Sequence, residues 1–559
     1  MAVMSREQQL SFARGMNDTA APTEYLADEC ELLRNGRLSF DGQSVRRRGG
    51  SERLHSSALN SGAQGYGGIE YFTAAGVQQL VVFMGDKMYY STNEGATWTN
   101  PTGATSLTEA FWSLVIMREG AANVLCCANG GTNSYQWNGS TWATISNIPD
   151  DVKYLAVFGN RLWATGHSGI TVVASKVGDI ETWATPDGIS VQAQTHDGDA
   201  VMTGLYQLGS VLLAFKSESV GYIEGYGFNS LEVETGARGI SRSVGCVANR
   251  SIQAAGDQGV CWLSKRGVEF YQMGGQVKLV TRQIQNFVDS INWSQIDSTP
   301  GLPTALWWPQ KHEYWCAVPV SSDQNDYMIV YRPPHGEASQ EAHPPALMLH
   351  RYAATDNDTL YVDSSGYLTH STTSDRDEGD TAGGYLITVL TGGQFMAVSA
   401  SGYLVFASAR HDHRAVFLAD LTSGAVTTNP ISCGFDGFVR QLEKGNTDNS
   451  AAGTDDGEAV AFSLITRPFL FQQPMRQKKA RSIRVSSQQT EAHTMTVRVK
   501  ADGAEKTLHT VTLAANSKPT TVKARVGAKG IALPVEIASN DDISISAVEL
   551  AANMLAEPW

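Results

Sequence analysis

The sequence predicts an all-β protein: a β-propeller with an N-terminal extended arm, an inserted β-rich segment and a C-terminal β-sandwich-like domain. Three observations carry that expectation. Glycine is abundant, 54 residues against 18 prolines, while charged residues make up only 18% of the 559, below the roughly 25% of an ordinary soluble domain. That balance suits many short strands joined by tight turns. Paired apolar runs split by Gly, Asn or Asp recur near 86, 133, 159, 209, 258, 312 and 364, a spacing close to the roughly 40–50 residues of a four-stranded propeller blade. From residue 466 onward, short alternating strands with polar links follow one another, as in a small sandwich.

Residues 1–50 hold no alternating run and end in Arg46-Arg47-Arg48-Gly49-Gly50. They read as an arm with a short helix over 23–34. Residues 51–380 read as propeller blades built from hairpins. The clearest are 80–84 with 87–90, 156–158 with 161–164, 211–215 with 220–223, and 260–263 with 268–271. Gly, Asn and Asp between the runs supply the turn geometry that hairpins need. Ser91-Thr92-Asn93-Glu94-Gly95-Ala96-Thr97-Trp98 resembles the Asp-box of sialidase-like propellers, with Asn93 where the box has Asp. A glycosidase is one reading of it. A turn that stabilises its blade, with a side-chain oxygen closing the hairpin, is the preferred one. Looser echoes lie at Gly139–Trp142 and Gly178–Trp183. Ile284, Phe287, Val288 and Ile291 repeat at helical spacing and predict one amphipathic helix facing the core. Residues 381–433 look inserted, 434–465 read as the last blade, and 466–559 as the C-terminal domain.

The net charge of −14 sets the surface as a whole against nucleic acid and anionic membranes, since proteins that grip phosphates are normally basic. The seven cysteines form no C-x-x-C pattern, and their odd number favours reduced thiols. Met1 to Leu10 is polar and does not read as a signal peptide. Apolar runs fall far short of the roughly 20 residues of a membrane helix. The expectation is assembly inside a cell without membrane insertion.

Chemistry-bearing motifs are weak, and neither a catalytic group, a cofactor nor a metal site is expected. His411-Asp412-His413 would place two imidazoles on one strand face, but no third ligand is visible and a polar turn is preferred. Arg238, Arg242 and Arg250 match no catalytic arginine spacing. Gly65-Tyr66-Gly67-Gly68 follows no strand and opens no helix, so it is a poor phosphate loop.

Several short segments, taken in order, resemble one family. They are Gly15-Met16-Asn17, Pro22, Leu26, Asp28-Glu29-Cys30, Asn35 and Val45 through Gly50, then Gly434 through Leu442, Ile465-Thr466-Arg467-Pro468, and Ile545 through Leu550. The chain is similar here to the tail nozzle (tail tubular, or packaged-DNA stabilisation) proteins of short-tailed double-stranded-DNA bacteriophages. The resemblance implies a structural virion protein, assembled in the host cytoplasm and carried in the tail. Six copies would form a ring below the portal-adaptor ring, contact tail fibres or spikes, and enclose a DNA exit channel that retains packaged DNA until ejection. DNA would pass without specific binding. Arg46, Arg47 and Arg48 are the candidate assembly contact. The most acidic segments, 374–380 and 446–458, hold Asp375, Asp377, Glu378, Asp380, Asp448, Asp455, Asp456 and Glu458. At least one of them is expected to line the channel, the rival being a solvated outer loop. Rival functions are a glycan- or receptor-binding tail propeller and a propeller glycosidase.

Overall fold

The computed structural model describes residues 4–334 and 430–555, apart from 40–41, 194–200, 225–231, 235–238, 256–258, 321–323, 435–436, 445–446, 449–457, 490–492, 502–503, 506–508, 514–515 and 527. Between these spans it describes only the strands at 346–350, 360–362, 368–370, 386–390, 394–398, 404–408 and 417–418. The chain divides into two compact units, 353–414 and the remainder.

The larger unit is all-β, and seven of its blades form a ring. Blade one comprises Gly65–Phe72, Gln78–Met84 and Lys87–Ser91, and Thr99 bridges back to Tyr90. Blades two to five are four-stranded antiparallel meanders that begin at Ser113–Glu119, Tyr154–Phe158, Met202–Leu208 and Gln253–Ala254. Blade six runs Thr304–Trp308, Glu313–Val318, Tyr327–Arg332, Ala346–His350. Blade seven is composite. Phe417–Leu418, Ile431–Cys433 and Val439–Leu442 are joined at the outer edge by Ser51–Arg53 from the start of the chain, Gln441 pairing with Glu52. Its inner strand packs on the inner strands of blades one and six, so the ring closes.

The hairpins expected from sequence are present with their turn chemistry. Phe158 pairs with Arg161 across Gly159 (φ 59°) and Asn160 (φ 54°), the double positive φ of a type I′ turn that matches strand twist. Apolar alternation then fills the gaps between blades. Val81, Phe83, Leu125 and Trp137 form one such core, Ala156, Trp163, Leu205 and Leu212 another, and Phe215, Val260 and Trp262 a third. Each buried tryptophan here is worth about 3–5 kcal/mol against truncation to Ala.

Outside the ring lies a sandwich. Blade six continues through Gly15–Met16, parallel to its outer strand, then Glu29–Arg34, Phe462–Thr466, Val535–Ser539, His493–Ala501 and His509–Leu513. A second sheet holds Gly36–Leu38, Val45–Arg47, Ser544–Met554, Lys478–Gln489 and Asn516–Arg525, with Met4–Gln9 antiparallel to the end of Ser544–Met554. Leu464, Val497 and Ile537 of one sheet and Ile483, Val485 and Leu550 of the other belong to one buried core.

Three expectations change. The arm is extended, but its strands belong to the chain's own sheets, and the helix expected over 23–34 is replaced by turns and the strand Glu29–Arg34, whose Cys30 and Leu33 are core residues. The segment set apart as an insert is drawn at 353–414, while Ile431–Cys433 belongs to blade seven. The span 434–465 is shared, its first strand in blade seven and Phe462–Thr466 in the sandwich. The amphipathic stripe is realised as a 3-10 turn, Arg282–Ile284, and a short helix, Gln285–Asp289, with Ile284, Val288 and Ile291 buried. The smaller unit contains antiparallel pairings of Leu360–Val362 with Leu368–His370, and of Gln394–Val398 with Leu386–Leu390 and Leu404–Ser408.

Candidate functional site

Several of the segments that carry the family resemblance lie far apart in sequence and meet where sandwich and propeller join, while Val439–Leu442 belongs to blade seven. Gly15 pairs with Glu29 and Leu347, and Cys30 pairs with Thr466. Asn17 donates through Nδ2 to the Glu29 carboxylate at 3.0 Å, and Gln283 donates to the other oxygen at 3.1 Å. Asn35, at φ 54°, accepts from Arg48 Nε at 3.1 Å and donates to the Ala461 carbonyl at 2.8 Å. Val45 pairs with Ile545. Gly49 leaves no room for a side chain, since a Cβ there would stand 2.6 Å from the Glu443 backbone.

The Arg46–Arg48 run is therefore divided. Arg46 is exposed and forms a bidentate pair with Asp542, Nε at 3.0 Å and Nη2 at 2.5 Å. Burial raises the Asp542 pKa, but the Arg46 hydrogen bond and charge outweigh it and hold the carboxyl below its ordinary range. Arg47 and Arg48 are buried, at 4% and 1% exposure, with Arg47 donating to the Asn540 carbonyl and Arg48 to that of Gly49. Only Arg46 of the three is presented at the surface of the described chain.

A second junction centre escaped sequence reasoning. Arg37 pairs with Glu313 of blade six at 2.7 Å and with Glu443, just beyond blade seven, at 3.1 Å. Its guanidinium lies 4.7 Å from the Trp308 ring centroid, within cation–π range. Trp315 Nε1 donates to Glu313 at 2.9 Å, and Gly49 N donates to Glu443 at 2.8 Å. A lone Arg in the Asn-Gly-Arg-Leu stretch gave no signal of this; the partners are 276 and 406 positions away.

The Asp-box segment is a closed turn. Ser91 Oγ donates to Asn93 Oδ1 at 2.9 Å, the same oxygen accepts from Thr97 N at 2.9 Å, and Gly95 N donates to Ser91 Oγ at 3.0 Å. The echoes do the same work. Asn138 Oδ1 accepts from Ser140 N and Thr141 N, and Asp179 accepts from Glu181 N and from the Thr182 hydroxyl. These bonds, the one from Glu181 first, hold the Asp179 carboxyl below its ordinary pKa. Asn93 thus fills the role of the box's Asp.

The inner strands surround an axial cavity of about 400 Å³, to which Ile69, Trp112, Leu155, Leu205 and Ala305 contribute apolar walls. Among the described residues the one charged side chain lining it is Arg250, which donates to the Tyr66 carbonyl at 3.1 Å and lies 5.1 Å from the Phe111 ring. Arg242 is exposed at the surface, and Arg238 lies outside the described residues. Gly65, Gly67 and Gly68 belong to the inner strand of blade one, where a Cβ on Gly67 would stand 3.2 Å from Trp112 Cβ. Their role is close strand approach.

Asp375, Asp377, Glu378, Asp380, Asp455 and Asp456 lie outside the described residues, as do His411, Asp412 and His413. Asp448 and Glu458 are paired by backbone as the ends of a short hairpin. Among the described residues no group of three or more His, Cys, Asp or Glu could hold a metal ion, and no helix is long and apolar enough to cross a membrane. All seven cysteines are free and buried.

The fold defines a β-propeller joined to a β-sandwich. Comparison with protein-family models and with curated proteins returned no match. Among solved structures, the extracellular domain of a hybrid two-component system from B. thetaiotaomicron is similar, with TM-score 0.30 and 12% identity over 69% of this chain; the chain spans 57% of that domain. An arabinoxylan arabinofuranohydrolase of glycoside hydrolase family 43 from Bacillus subtilis, solved with cellotetraose, matches with TM-score 0.24 and 8% identity over 89% of this chain and 98% of its own. At these scores neither speaks to function.

Proposed function

We propose that this chain is a structural protein of a short bacteriophage tail, the nozzle that closes the DNA exit. One observation supports the reading above others: several of the short segments that resemble the nozzle family interlock, with Gly15, Cys30, Asn35, Val45, Gly49, Thr466 and Ile545 held by backbone pairing or direct hydrogen bonds.

On this reading DNA does not pass along the propeller axis. A duplex whose major groove alone is about 12 Å wide does not fit a cavity of about 400 Å³. It passes between copies, in a homo-hexameric ring below the portal-adaptor ring. Six copies at −14 each carry −84, and a wall of that sign gains nothing from counterion release, so DNA slides without sticking. Tail fibres or spikes attach to the outside. Mass photometry of the protein mixed with its tail adaptor tests the assembly: a ring of six supports the proposal, and a monomer both alone and with the adaptor refutes it.

A further inference from the structure

A second cavity, of about 520 Å³, lies at the mouth of the propeller axis, within the roughly 300–1,000 Å³ of small-ligand sites. Its position follows from the blade order. Tyr66 and Tyr154 stand at the starts of the inner strands of blades one and three, Phe111 just precedes that of blade two, and residues 295–302 lead into that of blade six. All these contributors lie at one end of the ring.

The floor is aromatic and rigid. Phe111 meets Tyr66 edge-on with ring centroids 5.4 Å apart. The absence of a side chain at Gly301 admits the Phe111 ring, since a Cβ there would come within 2.6 Å of Cδ2. Arg250 sits over Phe111 and ties to the Tyr66 backbone. Around this floor converge side chains whose polar ends have no protein hydrogen-bond partner among the described residues: the Tyr66 and Tyr154 hydroxyls, the Gln64 and Gln295 amides, and the charged ends of Glu109 and Lys153. The two hydroxyls are not sealed inside the protein. Among the described residues lining this pocket, the Glu109 carboxylate and the Lys153 ammonium offset each other, and Arg250 against Phe111 lines the axial cavity instead.

We infer that this mouth pocket binds a short, uncharged saccharide. Aromatic rings take the apolar C–H faces of a sugar, while amides, hydroxyls and a carboxylate match its ring of hydroxyls; a neutral wall gives no advantage to phosphate. The tail reading and the pocket stand independently, because the pocket is complete in one chain.

The test uses the full chain on an immobilised panel of bacterial surface polysaccharides, with a duplex DNA oligonucleotide as a further probe. The double variant Tyr66→Phe with Tyr154→Phe removes only the two unpartnered hydroxyls, so its Tm stays within a degree or two of the parent. Two lost hydrogen bonds weaken retention of the recognised polysaccharide about tenfold or more, and Gln295→Ala weakens it independently. Three results overturn the inference: no polysaccharide retained, retention equal in the parent and the folded double variant, or DNA retained and then lost in the double variant.

Discussion

At the scale of single residues, the turns and the junction depend on groups that ordinary substitution would disturb in different ways. Gly95 holds φ 89° inside the Asp-box turn, and a Cβ there would stand 2.7 Å from Leu54 Cδ1. Gly95→Ala therefore meets both backbone strain and a clash, and is expected to cost about 1–3 kcal/mol, read as a lowered Tm. Asn93→Asp keeps the accepting oxygen and should leave Tm nearly unchanged; an equal loss in both variants would remove the turn's structural role. Arg37 neutralises two carboxylates whose side chains are only 3% and 7% exposed. Arg37→Met leaves them buried without their cation, an error worth about 3–5 kcal/mol. A denaturation midpoint unmoved by Arg37→Met would show that the pair is solvated after all.

At the scale of elements, the arm behaves as part of the fold. Met4–Gln9 pairs along Val548–Asn553, Glu7 bonds Arg467 at 2.8 Å, and Gln9 donates to the Glu29 carbonyl at 2.7 Å. Deleting residues 1–30 removes three strand contributions and exposes the sandwich core, so the truncated chain should be insoluble or loosened. Soluble, native-like protein after the deletion, by circular dichroism and hydrogen exchange, would contradict this. Acid should find the same domain. Burial raises Glu536, but the Arg498 hydrogen bond and Lys500 outweigh it, and Asp542 is held down likewise by Arg46. Carboxyls depressed in the folded state contribute stability that is fully present above their unfolded values of about 4 and is lost as pH falls through the folded ones. Hydrogen exchange across 535–549 should rise as pH drops below about 4, and Arg498→Gln should flatten that rise. No difference in acid response between Arg498→Gln and the parent would sink the assignment.

The same elements show what sequence could and could not disclose. Hairpins such as 156–164 were legible because apolar alternation and a Gly-Asn turn are local signals. Ser51–Arg53 was not: three polar residues gain their strand identity from Val439–Leu442, almost 400 positions away. Met4–Gln9 was hidden for the same reason, being a polar edge strand held by backbone bonds and ion pairs. The mouth pocket was illegible because each blade or loop lends it one or two residues and no motif joins them. The Asp-box admits both readings from sequence, and the closed turn at Asn93 supplies the hairpin-closing oxygen that the turn reading requires.

At the scale of the whole molecule, Arg37 and the arm tie the ring of blades to the sandwich within the larger unit. If the acidic segments line the channel between copies, replacing Asp455, Asp456 and Glu458 with Lys creates a sixfold basic collar. Phosphate attraction then acts over about a Debye length, roughly 8 Å at physiological salt, so ejection should slow and recover at high salt. Ejection kinetics in such virions that match the parent at low and high salt would place the loop on the outer surface.

The tail assignment itself is tested most directly by locating the chain in the particle. Gold-labelled antibody raised against the purified protein should mark the distal end of the short tail, and detergent-released tails should show a sixfold ring at that position. Label on the head or on fibre tips, or virions without the chain, would contradict it.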